Sequence, residues 1–428
     1  MENLENKSFK DFENIPGLGP YGRADAWAAY VRNWQSRGHW NYRQEAFSGC
    51  GPVTELHIAG NPNQRFVSLV SNDYLGFTQH PHVKACAIAA IEQYGTGAGA
   101  SPAIGGHYHF HTDIEQKIAA FFRRESAIVY TTGYTANSAM LQCLLKKEDL
   151  AILDMAVHAS VQEGCYLTNV KTFPHNNLEA LERILKVSED HYRTRMVVID
   201  GVYSQDGDLA PLDQIVVLCK RYHAYLVVDD AHGIGVIGET GRGVIELYDL
   251  FQQVDIITGT FSKTFAHVGG YVVASPALVE YLKFHSRQHI FSATLPPAAA
   301  CISAAISLID DEPQWMKMLW DNIAYFRKGL TDIGLDVGTT ASAIIPVKTG
   351  NPLTTAEATK LLLEAGVYAN QIGYPAVSKK DARVRQSLMA THTRADLDQV
   401  LNAWEWIGKR LQLNKSNEFS YGDKEEAT

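Results

Sequence analysis

The sequence has no excess of positive charge: 38 Lys and Arg stand against 47 Asp and Glu, a net charge of −9. A chain of that sign carries no electrostatic footprint for nucleic acid, so that class of partner is set aside. Cysteine is sparse, with six in 428 residues and no C-x-x-C pair among Cys50, Cys86, Cys143, Cys165, Cys219 and Cys301. That excludes a disulfide framework and points to reduced thiols in a cytoplasmic protein. Long apolar runs are missing too. The best candidate, PPAAACISAAISLI, falls short of the roughly 20 residues that span a bilayer, and its alanines suit a buried helix. The start, MENLENKSFKDFEN, has the makeup of neither a secretory leader nor a transit peptide. With no transmembrane segment, a lipid substrate would be met by peripheral contact at a membrane surface or carried in.

What is present is ordinary globular composition, 46% hydrophobic and 20% charged, in a chain longer than one typical domain. Residues 1–60 show weak periodicity and read as an N-terminal arm with one helix around Ala26–Trp34. Residues 61–300 read as a large domain. HVKACAIAAIEQY and DIEQKIAAFFRR have helical spacing. SAIVY, LAILD, VKTF, RMVVID, AYLVVDD and VDIIT are short apolar runs alternating with helical segments. That alternation predicts an α/β fold with a mostly parallel central sheet covered by helices on both faces. Residues 301–414 read as a smaller α+β domain, and 415–428 as a charged tail.

Three strand ends carry polar residues where such a sheet places its ligand. GTFSK follows VDIIT and sets Lys263 among small and glycine residues, where loss of water lowers an amine's pKa and frees it for chemistry. AYLVVDDAHG closes a strand on Asp229 with His232 three residues on, and GVYSQDGD follows RMVVID. Alone, Asp229 reads as well as a helix cap and His232 as a packed loop histidine. Together, an acid, an imidazole and an amine at adjacent strand ends meet the needs of pyridoxal 5'-phosphate: a partner for the pyridinium, one for the ring oxygen and an amine for the aldehyde. TTGYTAN opens a helix after a strand, so the N–H groups of Gly133 and Tyr134, with the hydroxyls of Thr260 and Ser262, would take the phosphate. His158, just past another strand end, is placed to stack on a flat ring, though a capping role fits as well.

Other stretches carry less. The glycines of GTGAGASPAIGG follow a helix rather than a strand, which rejects a dinucleotide fingerprint in favour of a loop over the site. The histidines of GHYHFHT lack a fourth ligand, so no metal is assigned and a structural loop is expected. RVRQSL puts Arg383 and Arg385 on one face of a late strand, one suited to clamp a carboxylate and the other to a salt bridge.

NDYLGF, YGTGAG, TTGYTAN, HAS, SQDGD, DDAHGIGVIGETGRG, GTFSK, GGY, FSATLPP and RVRQSLMATHT together resemble the α-oxoamine synthase family of fold-type I pyridoxal phosphate enzymes. The likeness runs from SNDYLGF through LMATHT. It implies the fold-type I, aspartate aminotransferase-like fold and a homodimer with shared active sites. It also implies a decarboxylative condensation of an amino acid with an acyl thioester, carried by coenzyme A or an acyl-carrier protein. By motif position, Lys263 would hold the cofactor, Asp229 its pyridinium, His232 and Ser204 its ring oxygen, and His158 its face. Thr294 of FSATLPP would reach the phosphate of the other subunit, and Asn72 and Arg385 would bind the amino-acid carboxylate. His111 and Glu115 keep the family's H-x-x-x-E spacing, whereas Pro102 stands where many relatives have arginine, near the acyl partner.

GTFSKTFAHVGGY, FSATLPPA and SLMATHT are most similar to bacterial serine palmitoyltransferases, which implies serine or a close analogue and a long-chain acyl group. DDAHGIGVIGETGRG is as similar to 8-amino-7-oxononanoate synthase, a cysteate-using or signal-molecule synthase would share most of these residues, and a 2-amino-3-oxobutyrate CoA ligase-like condensation is a further alternative. An aminotransferase or aldolase would share Lys263, Asp229 and His232. A non-catalytic partner subunit would have no need to keep them.

Overall fold

The computed structural model describes residues 7–58 and 60–414. The charged tail expected over 415–428 lies outside them. Two short strands come first, β1 (Val53–Glu55) and β2 (Arg65–Ser68), paired antiparallel. The central sheet takes the next seven: β3 (Ser126–Tyr130), β4 (Leu150–Asp154), β5 (Asn169–Phe173), β6 (Arg195–Asp200), β7 (Tyr225–Asp229), β8 (Ile256–Thr260) and β9 (Gly270–Ala274). Their spatial order is β3-β9-β8-β7-β6-β4-β5.

The stretch from β8 through β7, β6 and β4 to β5 is parallel, and β9 is antiparallel to both of its neighbours. The reason is chain length. A parallel return needs a crossover of about a dozen residues or more, and only the lysine loop separates Thr260 from Gly270. The expected mostly parallel sheet is present; β9 escaped the sequence reading because its GYVVA run sits directly behind a glycine pair.

Both faces of the sheet are covered. Along β6, Val197 and Ile199 enter one core while Met196 and Val198 enter the other, the two-residue period of a strand buried on both sides. The helix Gly133–Leu144 packs on one face, and the helices His109–Phe121 and Leu212–Arg221 on the other. GHYHFHT was expected as a loop, yet the helix begins at His109. The His111 imidazole folds back to accept the Tyr108 N–H at 3.0 Å, satisfying a donor that the helix start leaves open.

The last strands are β10 (Ile344–Lys348), β11 (Val367–Tyr368), β12 (Asn370–Ile372) and β13 (Arg383–Ser387). A second sheet, β10-β13-β12, is antiparallel throughout. Trp404, fully buried on the helix Arg394–Leu411, donates its indole N–H to Gln386 Oε1 at 2.8 Å. Strand β11 pairs in parallel with β2, which stitches residues near 67 to the C-terminal part of the chain. The N-terminal helix runs Pro20–Ser36, longer than the expected Ala26–Trp34, because Pro20 opens it at a position where no N–H is missed. Its Tyr30 and Trp34 pack with Phe12 and with Ala356 from the C-terminal part. No described helix is long and apolar enough to cross a membrane.

Candidate active site

The carboxyl ends of β6, β7 and β8 surround a cavity of about 220 Å³. Lys263 lines it, as do Asp229, His232, His158, Gly133, Tyr134, Thr260, Ser262 and Asn72. Residues separated by almost two hundred positions thus share one small space, because parallel strands bring their ends to one edge.

Burial is the main reason the Lys263 amine is pulled down to about 8. The Arg385 charge lowers it further, and Asp229 opposes both. At that value, about half of the amine is neutral near pH 8, which suits a proton acceptor.

Asp229 ends β7 and is nearly buried, so a bare charge there would be costly. Its Oδ2 accepts from Asn137 Nδ2 at 2.6 Å and its Oδ1 from the Ala231 N–H at 3.0 Å. Asn137 also donates to Ser160 Oγ at 3.0 Å. In register beside Asp229 stands Asp200, the last residue of β6, whose pKa is raised well above the usual range by burial and by the Asp229 charge. Burial and the neighbouring carboxylate thus both disfavour the ionised form of Asp200.

Burial also holds His232 well below its usual pKa, with the Lys263 charge adding to it. Its Nδ1 lies 2.6 Å from the Tyr74 hydroxyl, which reaches Asn72 Oδ1 only at 3.4 Å. Burial pushes Tyr74 up to about 12, so it keeps its proton. We assign that proton to the shorter contact. The remaining His232 proton then sits on Nε2 as a hydrogen-bond donor.

His158 caps the short helix Ala159–Gly164, accepting from the Ser160 N–H, and its Nδ1 lies 2.7 Å from Ser160 Oγ. Burial depresses it as well. Thr132 caps the helix Gly133–Leu144, so the N–H of Gly133 opens into the site. A Cβ on Gly133 would stand 2.7 Å from Thr260 Cβ, which only glycine avoids. The Thr260 hydroxyl donates to Gly269 O at 2.8 Å and accepts from the Ser262 N–H at 3.1 Å.

Arg385 is almost fully buried and gives Nη2 to Asn72 Oδ1 at 3.1 Å and Nε to Ser204 O at 2.6 Å. Arg383, its neighbour on β13, is taken by an ion pair with Asp206. Three expected site residues stand outside the lining of the smaller cavity: Arg385 lines neither cavity, though it bonds to the lining residue Asn72. Ser204 lines a second, larger cavity that also touches His158. Thr294 lines neither cavity, its hydroxyl lying 3.4 Å from His111 Nε2.

Three groups escaped the sequence reading: Asn137, Asp200 and Tyr74. The strands β4, β6 and β7 each close on aspartate (Asp154, Asp200, Asp229), a repeat that marked the strand ends as a set.

The cavity has a cradle of helix N–H and hydroxyl groups for an anion, a buried amine and a carboxylate at a strand end, the donor set that pyridoxal phosphate requires. A Cβ on Gly133 would intrude on that cradle. The residues fit the cofactor.

Comparison with known proteins agrees. The pattern of the class I and II aminotransferases matches residues 64–403. The 8-amino-7-oxononanoate synthase of Thermoanaerobacter pseudethanolicus is 42% identical over 86% of this chain and 96% of its own. The 8-amino-7-oxononanoate synthase 1 of Bacillus subtilis is 41% identical over 82% and 90%. Among solved structures, the Sphingomonas wittichii serine palmitoyltransferase superposes with a TM-score of 0.88 at 32% identity, covering 93% of this chain and all of its own. With that pattern, those relatives and a cavity built for the cofactor, the chain belongs to the α-oxoamine synthases of the class I and II aminotransferase family, pyridoxal phosphate-dependent C-acyltransferases.

Proposed function

We propose that the protein joins a small α-amino acid, serine or a close analogue, to a long-chain acyl thioester, giving an α-amino ketone, carbon dioxide and the free thiol. The observation that carries the reading is the buried Lys263 amine, lowered to about 8, sharing one small cavity with Asp229, His232 and His158.

The residues divide the work. Lys263 would hold the cofactor's aldehyde carbon at rest and, once released by the incoming amino acid, take its α-proton. Asp229, aimed by Asn137, would keep the pyridine nitrogen protonated, and His232, aimed by Tyr74, would donate from Nε2 to the ring oxygen. His158 would cover the ring face, with Ser204 beside it. The helix start at Gly133 and Tyr134, with Thr260 and Ser262, would hold the phosphate. Arg385 and Asn72, already 3.1 Å apart, would bind the amino-acid carboxylate as an ion pair with a hydrogen bond. The bound cofactor supplies an electron sink for the α-carbon. Carbon–carbon bond formation expels the thiolate, carbon dioxide leaves, and a proton returns to the α-carbon.

The position of Thr294, away from its own cavity, supports its service to a second copy across a homodimer. We take residues 61–300 as the cofactor-binding domain and 301–414 as a smaller one that brings Arg385, with residues 1–60 as an arm.

The 42% identity to 8-amino-7-oxononanoate synthases favours a second reading. That product's name requires a seven-carbon acyl group ending in a carboxylate and an amino acid that leaves a two-carbon amine. A visible spectrum of the cofactor-loaded protein decides between them. A shift with serine, then thiol release on adding palmitoyl-CoA, supports the first. A shift with alanine, and thiol release only with a carboxylated acyl-CoA, supports the second. No cofactor band at all removes both.

A further inference from the structure

The second cavity is about 870 Å³, some fourfold the volume of the first. His158 lines both. Its walls are unlike those of the cofactor cavity. The N-terminal arm contributes five aromatic residues: Phe9, Tyr30, Trp34, Trp40 and Tyr42. Across from them stand Met155, Leu353 and Tyr374. Among the described residues no carboxylate lines the space, and Lys7 and Lys379 are among the cations that do.

The arm is held in place as a wall. Phe12 and Tyr30 pack at a tilt with ring centres 4.9 Å apart, and Trp40 and Tyr42 meet edge to face at 5.0 Å. Polar ties, one of them fully buried, then fix it to the C-terminal part. Asn41 Nδ2 donates to Ala369 O at 2.8 Å, Tyr42 Oη to Gln371 O at 3.0 Å, and Gln371 Nε2 to His39 O at 3.2 Å. An element so anchored does not collapse into the space it faces.

We propose that this chamber receives the acyl chain of the thioester, and that arm residues 7–42 form a binding element selecting chains by apolar length. The proposal rests on the condensation reading above. It adds where the second substrate lies and which residues measure it. Apolar and aromatic walls reward buried methylenes with about fourfold in affinity for each one fully covered. They offer little to a short or polar chain. His158, common to both cavities, sets the point where the reacting acyl carbon passes from the chamber to the cofactor.

The test is calorimetric titration of the cofactor-loaded protein with palmitoyl-CoA and with hexanoyl-CoA, no amino acid present. Palmitoyl-CoA is expected to bind about 100-fold more tightly, the effect of three or four covered methylenes. Leu353→Trp, at a half-exposed wall position, narrows the chamber and should weaken palmitoyl-CoA about tenfold more than hexanoyl-CoA. Phe9→Ala, at the exposed lip, should do the same by removing apolar surface. Equal affinity for both chain lengths overturns the proposal, as does tighter binding of a CoA ester of a seven-carbon diacid. Thiol release measured alongside keeps the two readings apart. Length-dependent binding with no release for any amino acid removes the condensation and keeps the chamber; release with length-independent binding does the reverse.

Discussion

The two cavities that meet at His158 are built by opposite rules. The smaller is polar, closed by strand ends, and burial and close neighbours shift the titration of several of its groups. Burial and Asp229 raise the pKa of Asp200, and Tyr74 settles the tautomer of His232. The larger is walled by aromatic rings from a segment outside the central sheet, and little in it is charged. Chemistry is fixed where one displaced proton matters; substrate choice is placed where a methylene more or less changes affinity by a graded amount.

That contrast can be broken or sharpened by substitution. The largest effect belongs to Lys263→Ala, which should cut thiol release by about 10³-fold or more. Palmitoyl-CoA affinity should remain near wild type in the same protein. A parallel loss of both would mean that the cavities are not separate in function. Asp229→Ala should follow, with about 100-fold lower turnover and faster loss of cofactor on dialysis, because the charged partner of the ring is gone. Turnover and cofactor retention at wild-type level would remove Asp229 from the mechanism.

Tyr74→Phe keeps the ring and deletes the hydroxyl that fixes His232. About fivefold to tenfold is expected in kcat, one hydrogen bond's worth, with KM for the acyl thioester unchanged. A change confined to KM would place Tyr74 in binding instead.

The smallest effect on turnover is expected at His175, which lies outside both cavities. It bridges Asp154 at 3.1 Å and Asp208 at 2.9 Å, clamping the turn after β4 to the turn after β6. Burial disfavours its charge, but the two acids win and raise it to about 10. A raised folded pKa stabilises the fold fully below the unfolded value, about 6.5, and that contribution disappears as pH rises through about 10. Urea midpoints of the wild type should therefore fall from pH 6 to pH 10, and those of His175→Gln should fall less. Parallel curves would mean that His175 is neutral in the folded protein.

The central sheet and the amine, acid and imidazole at its edge were legible because apolar runs ending in polar residues form a local pattern. Asn137 and Tyr74 were not, although they lie inside the stretches TTGYTAN and SNDYLGF. Their importance comes from contacts 92 and 158 residues away, to Asp229 and His232. The chamber left still less trace. Phe9, Trp34 and Tyr42 look like core residues of any helix and loop, and their partners lie near 353 and 374. Strand β9 was hidden by the short return that makes it antiparallel.

The most direct test of the account is to find the amine that holds the cofactor. Borohydride reduction of the loaded protein makes that link permanent, and peptide mapping by mass spectrometry then locates it. The account predicts the cofactor mass on the peptide that contains Lys263 and on no other. A label on a different lysine, or none with cofactor in excess, would contradict it.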